Sequence, residues 1–540
     1  MSARAVGAAA GPAVGAAVGT AAGPAAGAVQ ARPAALADRV LAALDVAGED
    51  VVVVAGRRRV TGAALAARIR DQATAQRRAG VGSGTAVGFA GLPGPDTLAA
   101  LMALRSVGAC AVLLEPSSSP EVNRARMRTA GVQLMWASAS VAAAAGPARS
   151  LAVRRGLHLP RLGDLAPHVA VFATPGPLIR TGIPGVGRPL TAGVLDDDAR
   201  AAAAQGAVRP GDAVVIGTSG TTAAPRAVVH TETTLSATVD ALGSLVDARP
   251  GQQVLAGTFF ALLPALLSGA VVHLPRRAPR RLAAQLARLR PDVVYLTPPQ
   301  LRDALDAGAT FTGRVYSGSA PVSHTLLQRV VASGADDAFG VYALTEVAPV
   351  AAVSEGEKSA FAAAGGRGDL LGRPLPGVQV TAGADGQLLV TAPSMCDRYL
   401  HETSGTAHVA TGDLGRLEDG SVVMHGRAKD MVLRRAENIY PGLYEPALHL
   451  AGVRLAVLVG VPADDGDERL VALVEPEPGT EPEALRERLR PVLASMGSAA
   501  PDAVLVAAVP LAGRSRKPDR AAASVLCAQL LAARSGREWR

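Results

Sequence analysis

The chain has 540 residues, 49% hydrophobic, 19% charged and only 3% aromatic, with a formal charge of +8. That length exceeds what one hydrophobic core supports, so two or more domains are expected, with cores built from Ala, Val and Leu. The charge does not read as a nucleic-acid surface. Only Lys358, Lys429 and Lys517 among the 54 basic residues are Lys, and the Arg residues are scattered without the interleaved aromatics that base stacking needs.

Residues 1–35 repeat Ala, Gly, Pro and Val. They read as a low-complexity extension, disordered or from a misassigned start, because a signal peptide would carry an unbroken Leu-rich core. From residue 36 short strands alternate with helices. Residues 51–54 and 59–61 read as strands, 62–78 as an amphipathic helix, 85–90 as a strand, 96–107 as a helix and 111–114 as a buried strand. Further strands are expected at 132–136, 213–217, 293–296 and 315–317. This alternation predicts an α/β fold of mostly parallel sheets flanked by helices. After about residue 425 the pattern changes, with strands at 454–461 and 469–475, a helix at 481–495 and a strand at 503–509. That is a small α+β unit, expected to sit as a C-terminal lid on the larger body. The expected divisions are therefore 1–35, 36–426 and 427–533. Gly, Pro or Arg breaks every candidate membrane span. Cys110, Cys396 and Cys527 lie far apart without CxxC pairing, which argues against a disulfide scaffold or zinc site and fits a cytoplasmic setting.

Four segments carry chemistry. Residues 214–226 read VVIGTSGTTAAPR, a hydrophobic strand entering a turn of hydroxyls and glycine. Such a turn can offer backbone N–H groups and hydroxyls to phosphate, or be a plain loop. It is not a Walker loop. Residues 341–346 read VYALTE, after another strand that ends in small residues at 314–321. The carboxylate of Glu346 there is either a loop cap or a partner for a cation such as Mg²⁺. Residues 411–430 contain TGD, an Asp-Gly hairpin turn at 419–420 and GRAKD. Asp413 could accept two ribose hydroxyls, or merely belong to the hairpin. Residues 514–520 read RSRKPDR, keeping a Lys in a chain that uses Arg for nearly every positive charge, which suggests a task a guanidinium cannot perform.

In this order the segments resemble the acyl-adenylate-forming, AMP-binding superfamily of acyl-CoA synthetases, nonribosomal-peptide adenylation domains and beetle luciferases. The resemblance covers about residues 36–530 and includes RRAENIYP at 434–441. It implies that Thr218, Ser219, Gly220, Thr221 and Thr222 hold the β- and γ-phosphates, with Arg226 where the family keeps Lys. It implies that Gly318, Ser319, Ala320, Pro321 and Tyr342 sandwich adenine. Thr345 would bond the α-phosphate, Glu346 would bind Mg²⁺, and Asp413 with Arg427 would hold the ribose. Lys517 would be the catalytic lysine and Lys429 the hinge. The implied activity is ATP-dependent conversion of a carboxylic acid to an acyl-adenylate, then transfer to a thiol, with coenzyme A foremost. Transfer to a carrier-protein thiol or an amine, and a non-catalytic nucleotide-binding role, stand as alternatives. Family glycines are replaced at Ala223, Ala227, Ala343, Ala436 and Arg516, which bears on loop geometry and, at 435–436, on the acceptor channel. No charged residue is placed to read an amino group, so an apolar acyl or aryl acid is expected, in a pocket formed by 259–263 and 317–345.

Overall fold

The computed structural model describes residues 35–114, 120–150, 159–172, 195–217, 226–403, 405–434, 437–463, 467–513 and 516–534. Among these, a 13-stranded and a 7-stranded sheet form the large body. The 13-stranded sheet has a parallel centre, where Gln253–Ala256, Val293–Tyr295, Arg314–Gly318 and Asp337–Tyr342 run side by side. Each neighbouring pair there is joined through a helix such as Pro298–Asp306 or His324–Ala332. From Ala351 to Arg427 the chain instead runs through antiparallel strands, with helix Glu355–Ala363 between the first two and a tight turn joining Val409–Glu418 to Ser421–Arg427. The parallel pattern expected from the sequence thus holds at the centre of the larger sheet and gives way to antiparallel pairing between Ala351 and Arg427.

Helix Pro95–Ser106 shows why the two sheets form one body. Leu98, Ala99 and Met102 enter the core under the 13-stranded sheet, while Ala100 and Leu104 join Val87, Phe89 and Val214 of the 7-stranded sheet. A helix apolar all round must be covered on both sides, and this one is. Helices Pro279–Leu289, Pro298–Asp306 and His324–Ala332 cover the outer face of the larger sheet through Leu286, Leu301 and Leu327.

The expected C-terminal elements are present. Strands Val453–Pro462, Glu468–Pro476 and Ala503–Val506 form their own sheet, sharing no strand with the larger ones. Helix Pro482–Ser495 packs Leu485 and Leu489 on one face, and Arg520–Arg534 packs Ala523 and Cys527 on the other. The chain enters this unit at a close backbone crossing. A Cβ on Gly442 would stand 2.6 Å from Gly426 Cα, so a side chain there would force the crossing apart. No helix among the described residues is long and apolar enough to cross a membrane.

Candidate active site

Strands Arg314–Gly318 and Asp337–Tyr342 are parallel neighbours, with Gly318 opposite Val341. Their carboxyl ends are where open α/β sheets expose a crevice for ligands. A Cβ on Gly318 would lie 2.9 Å from the Val341 carbonyl oxygen, so only glycine fits. Ser319 then turns with φ +69, and its hydroxyl is hydrogen-bonded to the buried Tyr295 phenol. Ala320 is half-buried and Pro321 exposed.

Tyr342 reaches from this edge to Asp413, and the register of one hairpin explains the meeting. Strands Val409–Glu418 and Ser421–Arg427 turn at Asp419-Gly420, both with positive φ (50° and 78°), the conformation of a two-residue type I′ hairpin. That register places Asp413 opposite Arg427. Arg427 Nε donates to Asp413 Oδ1 at 2.8 Å and Tyr342 Oη donates to Oδ2 at 2.7 Å. Asp413 is 1% exposed and Arg427 42%, so the pair joins a buried carboxylate to a solvent-facing cation. Burial, then the Asp413 charge, pushes the Tyr342 phenol well above its usual pKa and keeps it a donor. Each carboxylate oxygen retains a free lone pair, the capacity needed to accept two hydroxyls.

A second group lies beside Glu346. Strand Arg398–Tyr399 pairs with Ala227–Thr231, putting the Arg226 guanidinium 5.0 Å from the centre of the Tyr399 ring. Burial and then the Glu346 charge raise the Tyr399 phenol pKa, while a hydrogen bond with Arg226 opposes them. Arg226, Tyr399 and Glu346 therefore share one neighbourhood. Thr345 is held through its carbonyl oxygen by His230 Nε2 at 2.9 Å, with burial keeping the imidazole pKa low. Residues Thr218, Ser219, Gly220, Thr221 and Thr222, between strand Asp212–Gly217 and Arg226, lie outside the described residues.

Lys517 comes from the small hairpin Leu511–Ala512 and Lys517–Pro518. By surface area it is exposed, yet protein crowds its ammonium, and that desolvation is the first cause of a lowered pKa. Arg427 and Lys429 lower it further, whereas Asp413 and Glu346 oppose them. Desolvation thus sets the direction, and the ammonium sits in the field of two cations and two carboxylates. Lys429 stands exposed in the turn Ala428–Asp430. Arg520 anchors the other side, gripping both Glu445 oxygens at 2.7 Å and Asp430 at 3.0 Å.

Among the described residues, Tyr342, Glu346, Asp413, Arg427 and Lys517, expected from separate segments, thus converge. The cleft gathers Arg226, Arg427, Lys429 and Lys517 around Asp413 and Glu346, which suits a polyanion with a hydroxylated ring. Among the described residues no three His, Cys, Asp or Glu side chains form a metal cage. A single carboxylate does suffice for Mg²⁺ that arrives on phosphate oxygens.

A profile of the AMP-binding enzyme family matches residues 42–400, more than half of the chain. The chain belongs to the AMP-binding enzyme family. It is 31% identical over 317 residues to the fatty acid–[acyl-carrier-protein] ligase ScoC of Streptomyces coeruleorubidus, a match covering 52% of this chain and 60% of that protein. It is 26% identical over 479 residues to a 3-hydroxybenzoate–CoA ligase of an Aromatoleum species, covering 81% and 84%. The amide bond synthetase McbA of Marinactinospora thermotolerans superposes with TM-score 0.70 at 22% identity, covering 91% of this chain and 99% of that one. At that identity the likeness is one of fold.

In this AMP-binding chain the glycine departures differ in consequence. Ala227 and Ala343 are not among the positive-φ residues, so alanine fits their backbone without strain. Arg516 is, at φ +49, and Ala223 and Ala436 lie outside the described residues. Helix Phe259–Leu267 buries Ala261, Leu262 and Leu263 in the main core, so that part of the expected acid pocket is packing. Sequence reasoning missed Tyr399 and His230, which reach the site through strand pairing and a contact across 115 residues. Counting register outward from the Asp-Gly turn would have set Asp413 opposite Gly426; a bulge between Leu414 and Gly415 moves its partner one residue on, to Arg427.

Proposed function

We propose that this protein activates a carboxylic acid with ATP, forming an acyl-adenylate and pyrophosphate, and then passes the acyl group to the thiol of coenzyme A. The observation that carries this reading is the gathering of Glu346, Asp413, Arg427 and Lys517 from distant segments around one cleft. In the reaction a carboxylate oxygen bonds to the α-phosphorus while its bond to the pyrophosphate oxygen breaks. Negative charge accumulates at one centre, so positioning and positive electrostatics supply most of the catalysis.

In the proposed roles, Asp413 accepts the ribose hydroxyls, with Tyr342 and Arg427 fixing its orientation. Gly318–Pro321 and Tyr342 flank the adenine, and Arg226 with the loop at 218–222 takes the outer phosphates. Thr345, held by His230, bonds the α-phosphate, and Lys517 meets the carboxylate and that phosphate. Mg²⁺, when bound with ATP, supplies charge neutralisation at the phosphates, with Glu346 as its protein carboxylate. Residues 36–426 act as the nucleotide-binding body and 427–533 as the lid, with Lys429 as hinge. In the second step the thiol sulfur bonds to the acyl carbon and AMP leaves. A carrier-protein thiol remains the second reading, favoured by the ScoC likeness. An apolar acyl or aryl acid is the proposed substrate class, and three free cysteines support a cytoplasmic setting.

The test is ATP–pyrophosphate exchange over a panel of carboxylic acids, alongside Lys517→Ala. Acid-dependent exchange that collapses in the variant is expected, followed by thioester formation with coenzyme A. Exchange that survives Lys517→Ala would remove the lysine from its role. Acid-dependent exchange without a coenzyme A thioester would transfer the acceptor role to a carrier protein or an amine.

A further inference from the structure

We infer that Asp303 and Arg516 are positioning residues that brace Lys517 in the cleft, an inference that rests on the ligase reading above. Arg516 immediately precedes Lys517 and holds a left-handed backbone, φ +49. A residue with a Cβ is strained there by about 1 kcal/mol relative to glycine. Its side chain gives the position a reason. Arg516 Nη1 pairs with Asp303 Oδ2 at 2.7 Å, joining the lysine hairpin to helix Pro298–Asp306 of the large body.

That contact is the end of a longer chain of alternating charges. The other Asp303 oxygen takes Arg454 Nη2 at 2.6 Å, and Arg454 also binds Asp306 at 3.0 Å and Glu475 at 2.7 Å. Arg329 continues the row, bound to Asp306 at 2.9 Å and Glu477 at 2.8 Å. Arg454, Glu475, Glu477 and Arg516 belong to the C-terminal unit, whereas Asp303, Asp306 and Arg329 lie on helices of the large body. Glu475 also accepts the Val509 N–H at 2.9 Å, just before the lysine hairpin begins. The row therefore fixes the hairpin at its base and, through Arg516, beside the lysine itself.

An isolated exposed ion pair contributes little, and Arg516 alone is 52% exposed. Asp303 is shared by two guanidinium groups, so it is the position whose loss matters more. Within the hairpin Lys517 pairs with Ala512, and the Arg516–Asp303 pair ties that hairpin to the large body next to the lysine.

Two readouts on full-length protein test this. The first is ATP–pyrophosphate exchange, with ATP affinity measured separately. Asp303→Asn should slow exchange about tenfold and Arg516→Gln about threefold, magnitudes set by one to a few exposed pairs. ATP affinity should be unchanged, the double variant should be no worse than Asp303→Asn, and Asp303→Glu should recover most of the rate. The second needs no substrate: the pH midpoint for acetylation of Lys517 by sulfo-NHS-acetate, read by mass spectrometry. It should lie below the ordinary lysine value of 10.5 in the parent and rise toward it in Asp303→Asn, as the ammonium regains water and leaves Arg427 and Lys429. An unchanged midpoint in Asp303→Asn would overturn the brace. So would unchanged exchange with a shifted midpoint. A shifted midpoint in a protein that exchanges with no acid would sustain the brace and sink the ligase reading instead.

Discussion

The two sides of the cleft are built differently. On the sugar side, Asp413, Tyr342 and Arg427 are tied by hydrogen bonds of 2.7 and 2.8 Å, and the carboxylate is nearly fully buried. On the phosphate side, Glu346, Lys517 and Lys429 influence one another through their charges, and both lysines are exposed. The first arrangement is preorganised, suited to a group that does not change during the reaction. The second can redistribute as phosphate charge enters, builds and leaves. In the proposed reading, binding specificity rests on fixed hydrogen bonds and rate on less tightly tethered cations.

Breaking the frame behind the phosphate side should have the largest effect. Arg398 and Asp212, 1% and 2% exposed, form a two-bond pair at 2.7 and 2.9 Å beneath the strand that carries Tyr399. Arg398→Met leaves a buried carboxylate unpaired, so chemical denaturation should show a loss of about 3–5 kcal/mol. Next comes Lys517→Ala, which should lower the adenylation rate by about 10²–10³ with little change in unfolding free energy. If it instead unfolds the protein, the phosphate side is structural and the contrast fails. On the sugar side the balance should invert. Tyr342→Phe removes a donor to a buried carboxylate and should reduce stability of the nucleotide-free protein by about 1–3 kcal/mol, seen in its melting curve.

The smallest effect sharpens the phosphate side through pH. The ammonium of Lys517 has a lowered pKa, so its charge is present at low pH and lost as pH rises through a value below 10.5. Lys429→Gln removes one cause of that lowering and should move the alkaline limb of kcat/KM upward. A limb that stays in place would mean that another group sets it.

The sequence displayed the strand–helix alternation and the order of the motifs, because both depend on neighbours a few residues apart. Asp413 and Arg427 were legible as motif members, but their direct pairing was not, since a bulge between the turn at 419–420 and Asp413 shifts the register by one residue. Tyr399 was not legible. It gains its place from the antiparallel pairing of Arg398 with Val229, between segments with no shared local signal. The brace at Asp303 was hidden for the same reason: a helical Asp and a loop Arg 213 residues apart show no periodicity. Arg516 looked like a lost glycine, and only its φ and its partner show what the arginine does.

The three cysteines acquire a meaning beyond redox compartment. All are buried, and burial raises each thiol, Cys396 to about 12 and Cys527 to about 11, with Cys110 raised as well. An acyl-adenylate is an electrophile that any thiolate can intercept. With its own sulfurs kept protonated and sheltered, the ligase proposed above would be guarded against acylating itself, whichever acceptor it serves.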